Sequence, residues 1–150
     1  MKSSSLTRPA NTTAYTIGDA VADLGGTPLV FNFAGETGRI HGGRLTKNTV
    51  TTANANFRLW LFVASPAAAP VDNAAFAVAF ADRGKRIGYI DFTTAVAGSD
   101  CTQSEGALSQ TQPLPFALPA GEANYGVLVA SAAYVPASGE VMQVDLQIAA

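Results

Sequence analysis

Residues 57–66 read FRLWLFVASP, and their alternation decides the fold. Phe57, Leu59, Leu61 and Val63 fall on one side of a period-two ribbon, and Arg58, Trp60, Phe62 and Ala64 on the other. That period belongs to a β-strand. Only Arg58 makes its second side look wet, so something must cover Trp60 and Phe62. Three covers are open: a loop, the 72–80 segment, or a neighbouring chain.

The same pattern extends in both directions. Upstream, in PLVFNFAGETGRIHGGRLTK (28–47), Leu29, Phe31 and Phe33 alternate with Val30 and Asn32, and Gly35–Gly38 is turn chemistry. Residues 39–47 resume in extended form, with Gly42-Gly43 marking a bulge or a close backbone approach. Downstream, RIGYIDF (86–92), Tyr125 to Tyr134, and Met142, Val144, Leu146 and Ile148 each read as strands. Ala14 to Ile17 reads as a further short one. Turns are expected at Asp82–Lys85, at Pro119–Gly121 and at Ser138–Glu140. Asp72 is placed to cap one or two helical turns over Ala74, Ala75 and Ala77, although Phe76, Val78 and Phe80 fit a strand equally well. AGSDCTQSEGALSQTQPLP (97–115) reads as a long polar loop. The sum is an all-β chain, an antiparallel, jelly-roll-like β-sandwich of about eight strands with at most one short helix. Residues 1–20 are expected as an extended N-terminal arm, and 21–150 as a single domain.

Composition narrows the function. Charged residues are 13% of the chain, about half the ~25% of an ordinary soluble domain. Such thin charge is common in proteins that live packed against partners, and it also fits a plain soluble monomer. The net charge of -2 gives no strong attraction to nucleic acid. Up to Arg58 there are six Lys/Arg and three Asp/Glu; beyond it, three and eight. The single Cys101 rules out an internal disulfide, MKSSSLTRPANTTAYT carries no apolar leader, and no apolar run nears the ~20 residues of a membrane span. Synthesis and folding in a reducing cytoplasm are expected.

Reactive constellations are missing from the pattern. His41 is the only histidine and has no second His or Cys at zinc-ligand spacing; as the base of a Ser-His-Asp triad it would need a nucleophile, and no GxSxG elbow or comparable context is present. Cys101 has no adjacent cation to stabilise a thiolate, and LGGT and HGGR lack the helix and the Lys-Ser/Thr of a phosphate cradle. No cofactor and no enzymatic activity are expected.

Four phrases carry a resemblance: RPANTTAYTIGDAV (8–21), GRIHGGRLTKNTVTTANANFRLWLF (38–62), PVDNAAFAVAFADRGKRIGYIDF (70–92) and VLVASAAYVPASGEVMQVDL (127–146). Together they make the chain resemble the cement, or decoration, proteins of short-tailed phages, which have a jelly-roll fold. The resemblance implies a virion protein on the outer capsid surface, bridging major capsid protein subunits as a dimer or trimer, with no direct nucleic-acid or membrane contact. It implies three contact regions. The first is the arm, anchored by Arg8 and Tyr15, which completes either its own sheet or a neighbour's edge. The second is Arg39, Arg44 and Arg58, and the third is the Trp60/Phe62 side. The alternative is a jelly-roll module of a head fibre or tail that recognises a carbohydrate or host receptor, with Trp60, Tyr89, Tyr125 or Tyr134 as stacking platforms.

Overall fold

The structure is a computed structural model that describes residues 1–33, 35–108, 112–117 and 122–149. Ten strands carry the fold. They are β1 (Lys2–Thr7), β2 (Ala20–Val21), β3 (Leu29–Asn32), β4 (Thr37–Lys47), β5 (Phe57–Phe62), β6 (Arg86–Ala97), β7 (Thr102–Leu108), β8 (Leu114–Ala117), β9 (Ala123–Ala130) and β10 (Val141–Ala149). The one helical element among the described residues is a single 3₁₀ turn, Phe80–Asp82.

All pairings are antiparallel, in the order β1-β10-β4-β7-β6-β5-β9-β2. β2 and β3 share one edge of β9, and β7 and β8 share one edge of β4. The sheet curls until its far ends meet, where Val30 N donates to Ser4 Oγ across the β1–β3 seam at 3.0 Å. Curling gives the sheet an inside, a sandwich-like core filled by alternate residues of each strand. Phe31, Ile40, Leu45, Phe57, Leu59, Leu61, Ile90, Phe92, Val144 and Leu146 are all buried there. Each such side chain contributes roughly 1.5–3 kcal/mol by leaving water. Gly106 is required by that packing, because a Cβ there would lie 2.3 Å from Ile90 Cγ2 and 2.6 Å from Phe92 Cε1. The bulge expected near Gly42-Gly43 is present, since Gly42 faces Gln147 and Ile40 faces Ile148, leaving His41 extra.

Four local expectations are corrected. The polar stretch 97–115 holds β7 and the start of β8; three of the inward residues of β7, Thr102, Ser104 and Gly106, are small enough to pack without being apolar, and Leu108 alone adds an apolar contact. Asp72 caps no helix, because its carboxylate is buried against Arg8 and Tyr15. Ala14–Ile17 is not a strand: Tyr15 leaves solvent and its N–H donates to Tyr134 O, while pairing with β9 begins only at Ala20. The strand read to Tyr134 ends at Ala130. The turn read at Pro119–Gly121 lies outside the described residues.

Candidate functional site

Arg8 and Tyr15 are not on the surface. β1 pairs with this chain's own β10, and at its root Arg8 turns inward. Its Nε donates to Tyr15 Oη, its Nη2 to Asp72 Oδ2 at 2.9 Å, and its Nη1 to Ala137 O at 3.1 Å. Tyr15 Oη donates to Asp72 Oδ1, which also accepts from Ala22 N at 3.1 Å. The Tyr15 ring lies parallel to Tyr134, centroids 6.5 Å apart. Tyr134 Oη accepts from Lys47 Nζ at 2.6 Å and donates to Glu140 Oε1 at 2.7 Å. Burial, with hydrogen bonding to Asp72 and Glu140, pushes both tyrosine hydroxyls far above their ordinary pKa. Burial also lowers the Lys47 ammonium, against the pull of Glu140. The contact anchors inferred for the arm are therefore an internal staple, joining the N-terminus, the 72 segment and the 134–140 turn.

The second group divides. Arg39 is exposed on β4 opposite Pro115 and Ala149. Arg44 is spoken for by Glu105 at 2.7 Å, with Asp145 beside it on β10. Glu105 holds the Arg44 guanidinium above its ordinary range. Among the described residues neither is seated on an aromatic ring, and the structure does not join them to Arg58.

The outer face of β5 and β6 brings aromatic and cationic groups together. Antiparallel register sets Arg58 opposite Asp91 and Trp60 opposite Tyr89. Arg58 grips Asp91 with two bonds, Nε to Oδ1 at 2.7 Å and Nη2 to Oδ2 at 2.9 Å. That fork raises the guanidinium pKa further. The guanidinium lies 3.8 Å from the centre of the Tyr89 ring, which meets Trp60 edge-on at 4.9 Å. Arg86 also approaches Trp60, 5.4 Å from its centre. Trp60, Tyr89, Arg58 and Asp91 are each half-buried. Beside them runs an open groove of about 320 Å³ between Trp60, Phe76, Val129 and the exposed Ile17.

Phe62 answers the opening question differently from Trp60. It is fully buried, packed with Val127 and Val129 and joined by Phe76 and Val78 of the segment that crosses this face. The 72–80 segment thus covers Phe62 and leaves Trp60 partly open. Arg86 was not among the expected site residues; the signal that finds it is the register, which sets Arg86 opposite Phe62. Tyr134 is buried and no platform, whereas Tyr125 is half-buried on β9.

Asp91 is held in its ion pair, and among the described residues no three His, Cys, Asp or Glu side chains converge to hold a metal. His41 is exposed at its bulge and Cys101 sits alone in the β6–β7 turn. No family model, curated protein or solved structure matches the chain. What is defined is the class: an all-β, antiparallel, jelly-roll-like module with an Arg–Trp–Tyr surface.

Proposed function

We propose that this chain is an adhesive structural protein, a cement protein that seats on the outside of an assembled phage head and bridges major capsid protein subunits. The single observation that supports it is the Arg58–Trp60–Tyr89–Arg86 patch, partly exposed on the outer face of β5 and β6. Tryptophan, tyrosine and arginine are the residues that dominate interface energy, since each offers large area with a polar end. The sequence phrases given above add the phage context, and with it synthesis in the host cytoplasm and a place on the virion exterior. A dimer or trimer follows from the need to match a symmetric shell.

Carbohydrate recognition is the second reading, favoured by Trp60 standing beside an open groove. Against it, the Tyr89 face that a sugar needs is already occupied by Arg58. The test is mass spectrometry and imaging of purified particles. The adhesive reading expects this polypeptide on the outer shell in stoichiometric copies, and heads that break more readily when it is deleted. Mature heads lacking it overturn that reading, and a glycan array with specific binding lost in Trp60→Ala selects the other.

A further inference from the structure

Resting on the adhesive reading, we infer that the partner surface facing this patch is acidic protein, and that Arg83 and Arg86 are the residues that read its charge. The reasoning begins with which charges are already satisfied. Asp91 is held by Arg58. Asp82 is held by Lys85 at 2.9 Å and accepts from the Ala67 amide at 3.0–3.1 Å, which keeps its carboxyl below the usual range. Both local carboxylates are therefore neutralised by neighbours. Arg83 and Arg86 are left, three residues apart, one in the turn before β6 and one at its first position, with no carboxylate partner among the described residues. On a chain of net charge -2, this end carries two uncompensated positive charges.

Their setting favours a carboxylate. The Arg83 guanidinium lies 3.5 Å over the Phe80 ring, and Arg86 lies over Trp60. Phe80 is 79% exposed and closes the same covering segment that Phe76 and Val78 pin to β5 and β9. An arginine seated on a ring keeps most of its N–H fork for an incoming acceptor, and the fork matches a carboxylate bidentately. One Arg83 donor is used on Phe80 O at 2.6 Å; the others remain. Two free guanidiniums flanked by Asp82 and Asp91 make a poor track for a polyphosphate backbone, which needs many cations and few anions. Exposed rings paired with cations suit a protein surface that mixes acidic and apolar side chains.

The test uses the full-length chain, labelled for NMR, titrated with a glutamate-rich peptide that carries one phenylalanine. The matching glutamine peptide and a thymidine oligonucleotide are controls. The expected result is shift changes confined to residues 58–62 and 80–91, weakened by added salt, with about tenfold or greater loss of affinity in Arg83→Glu/Arg86→Glu. These side chains are exposed, so the variant keeps its fold, which its spectrum verifies. Equal binding of the glutamine peptide, or preference for the oligonucleotide, overturns the inference. Purified heads separate it from the reading it rests on. Heads that bind the double variant as well as wild type sink the acidic partner alone. Wild type that ignores heads yet binds the acidic peptide sinks the cement role alone.

Discussion

The molecule contains two assemblies of the same three residue types, and they do opposite work. Arg8, Tyr15 and Asp72 meet inside, where the ion-paired side chains are 0% and 5% exposed. Arg58, Tyr89 and Asp91 meet on the outer face, where the pair is 34% and 30% exposed. Inside, every donor is directed at a fixed acceptor and the group ties distant segments together. Outside, the same ingredients stay half in water, with Arg58 held by Asp91 and seated over the Tyr89 ring. Composition does not separate a staple from a handle; burial does, because low dielectric makes an unpaired charge costly and water makes it nearly free.

The sharpest way to break this contrast is to delete the inner carboxylate. Asp72→Ala leaves the Arg8 guanidinium and the Tyr15 hydroxyl buried without their acceptor. The expected cost is about 3–5 kcal/mol by urea unfolding, the usual size for a broken buried pair. A loss under ~1 kcal/mol would mean that the staple is solvated and the contrast false.

The two aromatic residues on the outer side of β5 sharpen it next. Phe62 lies beneath Phe76 and Val78, so Phe62→Ala opens a cavity and is expected to cost about 3–5 kcal/mol. Trp60, two residues earlier, keeps part of its surface in water. Trp60→Ala is expected to cost only about 1 kcal/mol of stability while removing most of the partner binding. Melting and partner capture, measured on both variants, separate the two roles.

Alkali tests the inner assembly. Tyr15 and Tyr134 have raised pKa values in the fold, so their stabilisation is complete below the ordinary tyrosine pKa of ~10 and is lost as pH climbs past it. Each contributes a fall of ~1.4 kcal/mol per pH unit in that range. Lys47 runs the other way: lowered in the fold, it adds stability with rising pH until the unfolded lysine also deprotonates near ~10.5. A steep loss should therefore set in above about pH 10.5, with tyrosinate absorbance from these two rings appearing only with unfolding. Tyr134→Phe should halve the slope, whatever it does to the absolute stability.

The sequence exposes one of these assemblies more readily than the other, and distance along the chain explains why. Alternation in 57–62 and 142–148 was legible because its inward members are apolar, and it carried the fold class. β7 was not, since Thr102, Ser104 and Gly106 face inward without an apolar signal and Leu108 alone supplies one. Arg8 and Tyr15 looked like interface anchors because their partner Asp72 lies 64 and 57 positions away, and nothing local announces it. Arg58 and Trp60 could be placed on an outer side by parity alone. Their partners Asp91 and Tyr89 needed the β5–β6 register, which one bulged residue, Ile87, also shifts.

The smallest effect expected is at the outer ion pair, and it is the most exacting test. Asp91→Ala removes an acceptor gripped by two bonds, a geometry as good as the inner pair's. If geometry set the energy, the two aspartates would cost alike. Solvent instead hydrates the freed Arg58, so the loss should be about 0–1 kcal/mol and shrink further at high salt. Arg58 also keeps its seat over Tyr89, which does not depend on Asp91 being charged. The variant should therefore fold, melt within a few degrees of wild type, and present one more uncompensated cation on the patch. Binding to an acidic partner should then tighten. Weaker binding by Asp91→Ala, with stability intact, would show that the fork positions Arg58 for contact rather than holding it back.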